Sequence, residues 1–232
     1  MSSPIAKNDK SGLDKALITV HQTFSHGHRV RCLVEIFSQQ LGSLGLEGSL
    51  QLLDDGCGDM SLARGLAEAI PGIKTTCVDI YPPPSLEKQS QDPFWKNYEQ
   101  FDGWTLPYDK GSFDVAIFSD VLHHVPPDRL ICILESAARA ARFVLIKDHF
   151  EYGYWSRQCL RAMDFIGSYG YGVSVPDHYF TPESFVSVIE RSGLAIDQLV
   201  PGIRLYDHLP IVRSILAPRW QFIARCSTAA LG

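Results

Sequence analysis

The sequence predicts an α/β protein built on a doubly wound, mostly parallel sheet of seven strands. Three observations lead there. Short apolar runs alternate with amphipathic segments from residue 49 onward, the pattern of parallel strands covered on both faces by helices. The first of those runs, in "LLDDGCGDMS", stops at Asp54-Asp55 and enters a Gly-Cys-Gly turn, a sharp bend at the carboxyl end of a strand. The 232 residues, 45% hydrophobic and 20% charged, are enough for one large domain of this kind.

The elements follow in order. Residues 1–12 are dominated by Ser, Pro, Lys, Asn, Asp and Gly and read as a flexible N-terminus. Residues 13–45 read as an N-terminal helical cap, in which Val30, Leu33, Val34 and Phe37 repeat at helical spacing before "LGSLGLEGS" breaks the pattern. "SLQLLD" is the first strand, Met60 to Ile70 a helix ended by Pro71-Gly72, and "KTTCVDI" the second strand. "YPPPS" turns into a polar, partly helical stretch, and "NYEQFDG" marks a third strand weakly. "FDVAIFSD" is the fourth strand, Pro126-Pro127-Asp128 opens a helix to about Ala141, and "RFVLIKD" is the fifth strand. After Asp148 the rhythm changes, and residues 150–180, rich in aromatics and glycines, read as a lid insertion. In "TPESFVSVIERSGL" Thr181 caps a helix, Pro182 sits in its first turn and Gly193 stops it. "AIDQLV" and "WQFIARC" are the last two strands. No repeat or internal boundary interrupts residues 13–232, which read as a single domain.

Composition narrows the function. A net charge of −5 is a poor basis for neutralising phosphates, so nucleic acid is not an expected partner. The six cysteines, Cys32, Cys57, Cys77, Cys132, Cys159 and Cys226, form no Cys-x-x-Cys pair, which argues against a zinc site and a disulfide scaffold. "MSSPIAKNDKSG" lacks the apolar core of a signal peptide, and runs such as "FVLI" are too short to cross a bilayer. The expectation is a cytoplasmic protein with reduced thiols and no membrane contact.

The chemistry concentrates at strand ends. Gly56 and Gly58 let a ligand lie against the backbone, the following helix start offers N–H groups to an anion, and Asp54 offers a carboxylate to a cation. Both signs of charge in one turn suit a zwitterionic amino-acid group. Asp79 ends the second strand about 20 to 25 residues on, where nucleotide-binding α/β folds place an acid for ribose hydroxyls.

These residues resemble a family. "LLDDGCGDMSLARGL" is similar to the first motif of the class I S-adenosylmethionine-dependent methyltransferases, Asp-x-Gly-x-Gly-x-Gly. "VDI" resembles their ribose motif, "FDGWTLPYDKGSFDVAIFSDVLHHV" their third- and fourth-strand region, and "FVLIKDH" their fifth-strand motif. The resemblance spans roughly residues 48–149, in order and in register. It implies a Rossmann-like seven-stranded sheet with the last strand antiparallel, and S-adenosyl-L-methionine as cofactor. By the same resemblance Asp54, Gly56, Cys57 and Gly58 face the methionine part, and Asp79, with Ile80 beside it, binds the ribose. Asp102 and Gly103 meet the adenine, with Trp104 as a stacking wall, and Ser119 and Asp120 lie near the methionine moiety. Met60 stands where the family has its last glycine, which places the cofactor's pose in question.

Competing readings are weaker. A dinucleotide fingerprint requires Gly or Ala where Ser61 stands. His26 and His28 form a His-x-His pair with no further ligand in the sequence to complete it. Asp120 and Asp148 end adjacent strands, as do the acids of metal-dependent relatives, but His149 replaces the usual asparagine, so no metal is assigned.

The expected reaction is methyl transfer to a small organic acceptor, most simply at a hydroxyl oxygen. Carbon or nitrogen methylation of a small metabolite, or a non-catalytic protein of this fold acting through a partner, are the alternatives. The candidate base is His149, with Asp148 and His178 as fallbacks. His124, Tyr152, Tyr169, Tyr171 and Tyr179 are the expected acceptor-binding residues. Oligomeric state is open, the N-terminal helical region serving equally as a lid or as a homodimer surface.

Overall fold

Strand β1 (Gln51–Asp55) is where the sheet is organised: four of its five residues are buried, and it pairs in parallel with β2 (Lys74–Asp79) on one side and β4 (Phe113–Ser119) on the other. In this computed structural model, which describes residues 26–168, 175–207 and 218–228, the strand order is β3-β2-β1-β4-β5-β7-β6, with β3 at Tyr98–Gln100, β5 at Ala141–His149, β6 at Leu194–Pro201 and β7 at Gln221–Thr228. Strands β1 to β5 are mutually parallel, whereas β7 runs antiparallel to both neighbours, β5 and β6. The doubly wound, seven-stranded expectation with an antiparallel last strand is met. The weakly marked third strand is only three residues long.

The pleat of β1 sends Leu52 and Leu53 to opposite faces. On the Leu52 face, Leu33, Phe37 and Leu41 of α1 (Gly27–Ser43) and Leu62 and Leu66 of α2 (Ser61–Ala69) cover Val115, Ile117 and Leu145. On the Leu53 face, α4 (Pro127–Ala140) and α6 (Pro182–Arg191) cover Ala116, Phe118, Val144 and Ile146. A short helix α3 (Leu86–Gln91) lies in the β2–β3 connection. Local chemistry supports these elements. Prolines occupy the first turns of α4 and α6. Thr181 and Ser184 form a reciprocal capping box, with the Ser184 N–H donating to Thr181 Oγ1 at 3.1 Å and the Thr181 N–H to Ser184 Oγ at 2.8 Å.

The sequence offers no element for the start of the lid segment, yet the structure forms α5 there, at Tyr154–Ser168. Leu160, flanked by Cys159 and Met163, packs on Tyr179 and Trp220. That helical spacing is masked in the sequence by the outward Tyr154, Trp155 and Phe165. Of the N-terminal cap, residues 13–25 lie outside the described residues, as does the flexible stretch 1–12; α1 accounts for most of the remainder. Among the described residues no helix is long and apolar enough to cross a membrane.

The winding reverses between β1 and β4. The carboxyl ends of β1, β2, β4 and β5 therefore open onto one crevice, and the chemistry-bearing side chains collect at that edge.

Candidate functional site

The turn after β1 is held by the backbone of β2. The N–H groups of Gly56 and Cys57 both donate to the Val78 carbonyl, at 2.9 and 3.1 Å. Gly56 has a φ of 74°, and a Cβ there would stand 2.5 Å from a Val121 methyl, so no side chain fits. Asp54, 2% exposed, has a buried Oδ2 without a hydrogen-bond partner. Burial first, then Asp79 and Asp59, push its carboxyl up to about 7, against a hydrogen bond from the Ala63 backbone. Asp55 is equally buried, its Oδ2 also unpartnered, and burial with the nearby Asp54 and Asp79 raises it well above the carboxylate range.

Met60, at the third glycine position of the Asp-x-Gly-x-Gly-x-Gly pattern, adopts a backbone that favours glycine. Its φ of 60° is left-handed, and its side chain, fully buried, packs with Cys57, Ala63 and Cys77 beside Phe94, Trp95 and Tyr98. The thioether thus fills a hydrophobic cluster, together with the thiol of Cys57.

Asp79 ends β2 at 7% exposure and braces two turns: Oδ2 accepts from the Gly58 N–H at 2.9 Å and Oδ1 from the Tyr81 N–H at 3.3 Å. Ile80, half exposed, lies beside it, and a Cβ on Gly103 would stand 2.8 Å from the Ile80 side chain, so these two backbones need the glycine. Asp102 is exposed; its Oδ1 accepts from the N–H groups of Trp104 at 2.8 Å and Thr105 at 3.2 Å, which lower its pKa. Trp104 is partly exposed, and the Arg129 guanidinium lies 4.1 Å from its ring centre.

At the end of β4, beyond the partly buried Ser119, Asp120 adopts a φ of 58°, and its N–H donates to the Lys147 carbonyl at 2.8 Å. Its carboxylate accepts from Lys147 Nζ through one oxygen and from Arg29 of α1 through the other. Burial would raise this acid, but Lys147 and Arg29 hold it well below its ordinary value. Lys147 is fully buried and its ammonium is lowered by burial, against the attraction of Asp120.

The end of β5 carries a second network. Asp148 is fully buried; its Oδ1 lies 2.6 Å from His123 Nδ1 and accepts the His149 N–H at 2.7 Å. On its other side His123 Nε2 lies 3.5 Å from Asp164 of α5, which accepts the hydroxyl proton of Tyr179. Burial works against charge on His123, but Asp148 and Asp164 together raise it to about 9. His149, 4% exposed, is lowered by burial and then by Lys147; its Nδ1 is buried without a hydrogen-bond partner, 3.4 Å from Asp120.

The expected residues therefore divide. Asp54, the glycine turn, Asp79, Ser119, Asp120, Asp148 and His149 share one sheet edge, and Tyr179 joins them through Asp164. His124 lies against His123, with ring centres 4.1 Å apart. His178 is exposed, outside this buried network, and Tyr152 is exposed under Arg219. Tyr169 and Tyr171 lie outside the described residues. Sequence reasoning missed Arg29, Asp55, Lys147 and Asp164. Two left a signal, an extra acid and a lysine inside apolar strands; Arg29 and Asp164 are ordinary surface-type residues on helices.

Comparison with known proteins agrees with this fold. Residues 53–142 match the model of a methyltransferase-domain family. No curated protein matches the chain at a significant level. Similar solved structures include a Burkholderia thailandensis 1,6-didemethyltoxoflavin-N1-methyltransferase with bound 1,6-didemethyltoxoflavin and S-adenosylhomocysteine, 14% identical, covering 99% of this chain and 93% of that one at a TM-score of 0.60. The mitomycin 7-O-methyltransferase MmcR is 20% identical, with 93% and 67% covered and a TM-score of 0.56. A putative sarcosine dimethylglycine methyltransferase from Galdieria sulphuraria is 16% identical, with 84% and 85% covered and a TM-score of 0.61. At such identities the likeness establishes the fold.

Proposed function

From the premise that residues 53–142 carry a methyltransferase domain on the class I, S-adenosylmethionine-dependent fold, we propose that this chain transfers a methyl group from S-adenosylmethionine to a hydroxyl oxygen of a small organic acceptor. The observation that carries the reading is the buried Asp54 carboxyl beside the glycine turn, whose Oδ2 has no hydrogen-bond partner. A buried carboxylate oxygen without a partner is costly, and a cationic amino group brought to this turn satisfies it.

The other residues fit the same molecule. Gly58 leaves open space where a Cβ would stand, so a ligand can lie against the turn. Asp79 uses one lone pair of each oxygen on backbone N–H groups and keeps the others for ribose hydroxyls. Ile80 and Gly103 would flank the adenine, Asp102 would accept from its amino group, and Trp104 would stand at its edge. When bound, S-adenosylmethionine supplies a methyl group already activated by the sulfonium charge.

The chain's own tasks are alignment, exclusion of water and handling of one proton. A hydroxyl of ordinary pKa is protonated at neutral pH, so its attack is helped by a base. His149 is that base: it ends β5 at the crevice, its N–H is tied to Asp148, and its Nδ1 has no hydrogen-bond partner. Asp120, held by Arg29 and Lys147, forms the wall beside it. Among similar structures, one is named as an O-methyltransferase and one as an N1-methyltransferase of small molecules, which supports a small acceptor.

Calorimetric titration with S-adenosylmethionine and S-adenosylhomocysteine, beside an Asp79→Ala variant, tests the reading. Micromolar binding that the variant loses supports it. No binding by the wild-type chain, with or without candidate acceptors, favours a non-catalytic protein of this fold.

A further inference from the structure

The imidazole pair after β4 and the acid on α5 form a cluster to which the proposed methyl transfer assigns no step. His123 Nε2 is buried and has no hydrogen-bond partner. It faces Asp164 Oδ2 at 3.5 Å. A ligand atom of His124 joins these two, all within 4.8 Å of one another. Around one four-coordinate ion with bonds of about 2.0–2.2 Å, adjacent ligand atoms stand about 3.4 Å apart. The His123–Asp164 separation has that value, which is too long for a hydrogen bond of ordinary strength.

The surrounding groups complete a metal-site pattern. A ligating imidazole characteristically donates its second ring N–H to a carboxylate, and a ligating carboxylate is itself hydrogen-bonded. His123 Nδ1 lies 2.6 Å from the fully buried Asp148, which fixes Nε2 as the outward nitrogen. Asp164 accepts the Tyr179 hydroxyl on Oδ2, the same oxygen that faces His123 and that would keep a second lone pair for the ion. By contrast, Asp120 has both oxygens on cations, Lys147 and Arg29, and cannot serve as a ligand.

We propose that His123 Nε2, His124 and Asp164 bind a divalent transition-metal ion of the zinc and cobalt class, with Asp148 orienting His123 from behind. Two imidazoles and one carboxylate match the ligand preference of such ions and not that of magnesium or calcium. The ion clamps α5, the first helix after β5, to the turn that follows β4. Three protein ligands leave a fourth position for water. The competing occupant of the same nitrogen is a proton, which makes His123 an imidazolium between Asp148 and Asp164.

The test is titration of the chelator-treated full chain with Co2+, followed by displacement with Zn2+. One equivalent of Co2+ with the intense visible bands of four-coordinate cobalt is expected. Asp164→Asn and His123→Gln should abolish stoichiometric binding, whereas Asp148→Asn should weaken it by about 10- to 100-fold. Cys132→Ser, which removes an exposed thiol, should change nothing. Absence of stoichiometric binding, or full binding by Asp164→Asn, overturns the proposal. Should a variant fail to fold, histidine 15N spectra of the wild-type chain decide: His123 remaining doubly protonated at saturating Zn2+ overturns it as well. S-adenosylhomocysteine binding is read separately, so failure of either proposal leaves the other standing.

Discussion

Arg29, in the first turn of α1, donates to the carboxylate of Asp120 at the end of β4, 91 residues away in sequence. This contact ties the N-terminal helix to the crevice edge, and the His26–Asp59 pair at 3.3 Å ties the same helix end to the glycine turn. Arg29→Ala should cost about 1.5–3 kcal/mol, the range for a hydrogen bond to a charged group. Urea unfolding measures that loss, and hydrogen exchange should show α1 opening more readily while α4 keeps its protection.

Asp54 is expected to link cofactor binding to pH. Its carboxyl, ordinarily at 3.8, is raised to about 7 in the folded chain, chiefly by burial. The native state therefore holds a proton that the unfolded state releases. The stability this contributes is complete below pH about 4 and is lost as pH rises through about 7. Binding of a cationic amino group needs the ionised form, so S-adenosylhomocysteine affinity should fall about tenfold per unit as pH drops below 7. Calorimetry in buffers of different ionisation enthalpy should detect a released proton. Asp54→Asn should remove both the proton release and the pH dependence.

Met60→Gly separates backbone from packing. Glycine relieves a left-handed backbone worth about 1–2 kcal/mol, but empties a fully buried site, and truncating a buried Met costs about 2–5 kcal/mol. Net destabilisation is expected, as a lower urea midpoint at unchanged slope. S-adenosylhomocysteine affinity should stay within a few-fold, because the side chain points into the Cys57–Cys77 cluster. A large gain in affinity would show that the thioether obstructs the site.

His149→Ala should lower turnover by about 10²- to 10⁴-fold, the usual contribution of a general base, and leave S-adenosylmethionine binding intact. Unchanged turnover with an identified acceptor would remove His149 from the mechanism.

Lys147→Met tests the buried cation. It leaves Asp120 with Arg29 alone, and breaking one arm of a buried ionic network costs about 3–5 kcal/mol. The double variant Lys147→Met/Asp120→Leu should recover part of that loss if the cost is an unpaired buried charge, and a double-mutant cycle by urea unfolding measures the coupling.

Local chemistry was enough to read the winding of the sheet, the glycine turn and the acids at strand ends. Alternation of apolar runs with breakers is a property of neighbouring residues, and the Gly56 bend is dictated by its own backbone. Met60 shows the limit of such reading. Its identity did not tell where its side chain lies; its left-handed φ and its burial in the Cys57–Cys77 cluster did. The partnerships of Asp120 with Arg29 and of His123 with Asp148 and Asp164 were invisible in the sequence, because they join residues on separate elements across 91, 25 and 41 positions. A charge takes its meaning from the burial and the counter-charge around it, and both exist only once helices α1 and α5 have packed against the sheet.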